Sequence, residues 1–91
     1  MKVGDKVTII DTGWMYLSYV RFMEKFLPDR LEDYIGYRKL SFNPIAYQDA
    51  CGRVIFVHEH TDRPEKEMVY AIEMGNSIVL VEKKGLMKIG S

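Results

Sequence analysis

The sequence predicts a small α+β domain, mainly β: a barrel of about five strands with one amphipathic helix inserted after the first strand. Three observations lead there. Lys6, Val7, Thr8 and Ile9 alternate polar and apolar near the start, as a half-buried strand does. Between residues 14 and 27 the apolar period changes from two to about 3.6. Near the end, the β-rich runs "MVYAIEM" and "SIVLVEK" flank the dipeptide Gly75-Asn76, a pair suited to a two-residue hairpin turn.

The first strand lies within "VGDKVTIID", residues 3–11. The helix follows in "DTGWMYLSYVRFMEKFLP". Met15, Tyr19, Phe22 and Phe26 recur at helical spacing beside Tyr16, Val20, Met23 and Leu27, with Ser18, Arg21, Glu24 and Lys25 on the other side. Asp11 or Thr12 is placed to accept from the free N–H groups of its first turn, and Pro28 disfavours helix at Leu27. From Asp29 to Asp49 the pattern weakens, broken by Gly36 and Asn43-Pro44, and reads as loop with one or two short strands or turns.

"CGRVIFVHEH" reads as a strand buried on both faces at its start, because Val54, Ile55, Phe56 and Val57 are β-branched or aromatic. The polar "TDRPEKE" reads as an exposed loop. After the Gly75-Asn76 hairpin, a second turn at Lys84-Gly85 leads into "LMKI", a short last strand or single turn.

The chain has 91 residues, the size of one domain spanning 1–91, and its 47% apolar and 29% charged content speaks against disorder and against membrane spanning. Thirteen basic residues face thirteen acidic ones. That balance disfavours tight nonspecific nucleic-acid binding, which draws on a basic surplus. The lone Cys51 cannot form a disulfide within the chain, and the N-terminus lacks the pattern of a signal peptide. The expected location is therefore the cytoplasm.

The pieces "VGDKVTI", "GRVIFV" and "YAIEMGNSIVLVEKKGLMKI" resemble the small SH3-like barrels, including the KOW-type modules of translation and transcription proteins. They match in order and character over roughly half the chain. The helix stands where such barrels normally have a loop. Because that loop often carries ligand specificity in SH3-like domains, the resemblance places the working surface between the helix and the loop that follows.

Candidate chemistry is sparse. His58 and His60, two apart on a strand, leave the same face as a metal pair would, but two ligands do not make a site, and strand-end polarity explains them. Cys51 has no family signature or third orienting group around it and reads as a small buried apolar residue. The acidic pairs lie among Arg and Lys, and there is no phosphate loop, nucleophile elbow or zinc-binding cysteine pair. The expectation is a non-enzymatic protein without a cofactor.

"YIGYRKLSF" interleaves Tyr34 and Tyr37 with Arg38 and Lys39, a composition suited to stacking bases while neutralising phosphates. This supports a KOW-like nucleic-acid module as the alternative function, with metal or small-molecule binding at His58 and His60 as a distant third. The leading expectation is a binding module that docks a protein partner, or a second copy, through the helix and the aromatic loop. Trp14 and Tyr16 are its contact residues. Such a domain suits an adaptor or inhibitor, as found in bacteria and their phages.

Overall fold

The computed structural model describes residues 1–37, 44–60 and 67–89. Its frame is one antiparallel six-stranded sheet, curled into a half-barrel. Strand β1 is Lys6–Ile9, β2 Met15–Tyr16, β3 Cys51–His60, β4 Glu67–Met74, β5 Ser77–Glu82 and β6 Leu86–Lys88. Their order across the sheet is β2-β5-β4-β3-β1-β6. Strands β3, β4 and β5 form a meander, and the last strand returns to pair with the first, Ile9 opposite Leu86 and Thr8 opposite Met87.

The register of β3 shifts between Val54 and Phe56, where one residue is extra. Such a bulge raises local twist and bends the strand, so the start of β3 pairs with β1 while the rest follows β4. The two sheet edges approach each other through single-turn 3-10 segments, η1 at Thr12–Trp14 and η4 at Lys83–Gly85. Here the amides of Ile10 and Asp11 donate to the Gly85 carbonyl at 2.9 and 3.4 Å. A side chain at Gly85 would place its Cβ 2.8 Å from both the Asp11 carbonyl oxygen and Trp14 Cβ, so glycine permits the approach.

The β4–β5 hairpin forms where the sequence predicts it, with Met74 opposite Ser77 across a two-residue turn. Gly75 takes φ +62° whereas Asn76 does not have a positive φ. That pattern, positive at the first central residue alone, is the one a type II′ turn requires.

The predicted helix over 14–27 is only partly formed. The helix α1 covers Val20–Phe26 and ends before Pro28 as expected. Upstream, Trp14 closes η1, and Met15 and Tyr16 form β2, opposite Val81 and Leu80. Asp11 does cap a helical turn, but it caps η1, accepting from the Gly13 amide. The apolar period is real, yet Met15 and Tyr16 gain more by giving their backbone groups to β5 and burying Met15 in the interior. A helix of this length has little stability of its own.

One further expectation is corrected. The start of β3 is not buried on both faces: Cys51 and Arg53 are exposed, and among the described side chains of the strand only Val54 is fully buried. β5 is enclosed on both faces, buried from Ile78 to Glu82, as is the middle of β4 from Val69 to Ile72. Its inward residues Val79 and Val81 share the barrel interior with Val7, Ile9, Val54 and Ile72. Its outward residues lie under α1 and the 3-10 segment η2, Pro28–Asp33, which together cover the outer face of the meander. The predicted loop over "TDRPEKE" falls on residues 61–67, of which 61–66 lie outside the described residues.

Candidate functional site

Directly opposed residues in a sheet leave the same face, so the register arranges the outer face of the meander into rungs. One rung holds Phe56, Ala71, Leu80 and Tyr16; the next holds His58, Val69 and Glu82. Rings from α1 settle on them. Phe26 lies 5.4 Å from Phe56 and 4.5 Å from His58, while Phe22 meets both edge-on at 6.0 and 5.7 Å. The stack continues along the chain, Phe22 to Tyr19 at 5.9 Å and Tyr19 to Tyr16 at 4.5 Å with nearly parallel rings. The result is a strip of six rings running from the end of α1 to β2. Phe22 is buried, and Tyr16, Tyr19 and Phe26 remain half-exposed.

Next to Tyr16 in sequence stand two exposed apolar side chains, Trp14 at 41% and Leu17 at 44%. Lys84 Nζ stands 4.9 Å from the centre of the indole ring. The backbone under Trp14 is held by the η1–η4 contact, so the indole is presented on a fixed base. The two contact residues predicted from sequence are thus brought to one edge, though on a 3-10 turn and a strand rather than on a helix.

Tyr34 is fully buried. Its hydroxyl donates to the Tyr16 carbonyl at 2.6 Å and accepts from the Tyr19 amide at 3.0 Å, tying the start of α1 to β2. Burial pushes its phenol above the ordinary tyrosine value, with the bond from the Tyr19 amide opposing. Its ring presents no face to a base. Tyr37 is 41% exposed, whereas Arg38 and Lys39 lie outside the described residues.

His58 is half-buried against Phe22 and Phe26, and the His60 side chain lies outside the described residues. Among the described residues no group of three or more His, Cys, Asp or Glu is placed to hold a metal ion. Cys51, expected inside, is exposed at the entry of β3, on the outer face opposite Thr8.

Sequence reasoning missed Lys84 and Glu82. The polar Lys83-Lys84 pair reads as an ordinary turn, and nothing in its composition signals an indole beneath it. Glu82 is 4% exposed, and among the described residues its Oε2 has no hydrogen-bond partner. Burying a carboxylate oxygen unpaired costs free energy, and the group sits at the end of β5, where β2 gives way to η1. No helix among the described residues is long and apolar enough to cross a membrane. Compared with known proteins, the chain matches no family model, no curated protein and no solved structure.

Proposed function

We propose that this domain is a non-enzymatic binding module of the SH3-like barrel type, which docks a protein partner through the edge carrying Trp14 and Tyr16. The observation that carries the reading is Trp14: the single tryptophan of the chain stands exposed on a backbone fixed by η1 and η4, two residues along the chain from Tyr16 of the half-exposed Tyr16–Tyr19 stack. Aromatic side chains on rigid elements lose little entropy on binding and dominate interface energetics. The SH3-like part of the reading is supported by the β3–β4–β5 meander, by the return of β6 to β1, and by the turn at Lys83–Gly85 between the last two strands. The nucleic-acid alternative is weakened by the burial of Tyr34.

The test uses wild type, Trp14→Ala and Tyr16→Ala as baits in extracts of the native host, followed by affinity measurement on the purified partner. The expected result is a partner held by wild type and weakened by about 2 kcal/mol or more in Trp14→Ala, with thermal stability nearly unchanged. Equal affinity of Trp14→Ala and wild type for every partner recovered would refute the assignment. Binding that is instead salt-dependent and lost in Arg38→Ala/Lys39→Ala would move the function to nucleic acid.

A further inference from the structure

On the outer face of the sheet, the register sets three charged residues in a row. Lys6 faces Arg53 across β1 and β3, and Arg53 faces Glu73 across β3 and β4. Opposed side chains leave one face with Cβ atoms about 4.5–5.5 Å apart, so Glu73 is the natural ion-pair partner of Arg53. It is not used that way. Glu73 Oε2 lies 2.7 Å from Arg30 Nη2, and Arg30 Nε lies 2.8 Å from Asp33. Arg30 belongs to η2, the segment covering the neighbouring part of the sheet.

Among the described residues, the Arg53 guanidinium reaches only the Gly4 carbonyl, at 3.4 Å. Among the described residues, neither Lys6 nor Arg53 has a carboxylate within ion-pair distance. Like charges directly opposed destabilise a sheet, and here they stand over an open groove. The groove has a volume of about 440 Å³ and is lined by Lys6, Cys51, Arg53 and Glu73, with Met74 and Ile89 adding apolar surface. That volume lies in the range of small-molecule sites.

We propose that this groove binds a small phosphate monoester. Two cations on one face of the sheet are able to share a dianion, the guanidinium offering the paired N–H geometry that a phosphate accepts. Both stand on paired strands, so their backbones need no ordering on binding. Ile89 meets the organic body of the ligand. Arg30 is a positioning residue: by holding Glu73 it keeps that carboxylate from neutralising Arg53.

The experiment titrates isotopically labelled full-length protein with adenosine 5′-monophosphate, inorganic phosphate, adenosine and single-stranded oligothymidylate, following amide shifts by NMR. The monophosphate is expected to give saturable shifts at residues 51–53 and 73–75, inorganic phosphate weaker ones at the same amides, and adenosine none. Lys6→Gln and Arg53→Gln each weaken the monophosphate by about tenfold or more. Arg30→Ala weakens it as well, because the released Glu73 turns to Arg53, and Arg30→Ala/Glu73→Gln restores it. This rescue separates positioning from simple loss of structure.

No saturable shift at millimolar monophosphate, or unchanged affinity in Arg53→Gln, would overturn the proposal. Equal affinity for phosphate and the monophosphate would overturn the role of Ile89. Oligothymidylate binding at the same amides about tenfold or more tighter than the monophosphate would also overturn it, making the groove a contact for a nucleic-acid backbone.

Discussion

Replacing Tyr34 by Phe removes one oxygen atom and tests how the aromatic edge is held. The hydroxyl makes two hydrogen bonds, one donated to the Tyr16 carbonyl at 2.6 Å and one accepted from the Tyr19 amide at 3.0 Å, from a residue with no solvent exposure. Deleting one side of a buried hydrogen bond costs about 1–2 kcal/mol, so the pair is worth about 2–4 kcal/mol. For a domain of this size that lowers the melting temperature by about 10–30 °C. Because the bonds join β2 to the start of α1, the variant should also loosen the Tyr16–Tyr19 stack. Amide exchange at residues 16–20 should then rise more than global unfolding explains.

The same residue has a pH signature. Burial raises the folded-state phenol value of Tyr34, so its neutral form is favoured in the native state. The stabilisation it supplies is complete below the unfolded tyrosine value of about 10 and is lost as pH rises through the higher folded value. Urea denaturation between about pH 9 and 11 should show stability falling, less steeply in Tyr34→Phe. Tyr70, also raised by burial, supplies the slope that remains. Tyr34→Phe within about 0.5 kcal/mol of wild type, with an unchanged alkaline slope, would refute the reasoning.

Two further outcomes follow from the backbone and from charge. Gly75→Val forces a β-branched residue to φ +62° with no neighbour within 4 Å to blame, and a loss of about 1 kcal/mol or more is expected in chemical denaturation; an unchanged midpoint would remove the turn assignment. The Asp5 carboxyl is held below its ordinary value of 3.8, chiefly by the backbone amide of Lys2, with Lys88 adding charge. The stability it supplies is present above that value and lost as pH falls through the lower folded one, so Asp5→Asn should flatten the acid limb of a stability–pH profile. An Asp5 carbon resonance titrating at or above its ordinary value would contradict this.

The parts of this protein that depend on local rules are legible in its residues. Gly75-Asn76 between two β-rich runs sets a hairpin because few residues tolerate the required φ, and Pro28 stops α1 at Phe26 because of its ring. Strands at residues 6–9 and 51–60 are equally legible from alternation and β-branching. What the aromatic segment after the first strand becomes depends instead on long-range pairing. Met15 and Tyr16 carry a helical period, yet they pair with Val81 and Leu80, some sixty-five residues away, which a local pattern cannot register. Long-range pairing also decided that Tyr34 is a buried strut rather than an exposed stacking ring, and that Cys51 faces outward. Composition fixes which groups are available, whereas register across the sheet fixes which groups meet. The meeting of Lys6 with Arg53, and the diversion of Glu73 to Arg30, exist only once the strands are side by side.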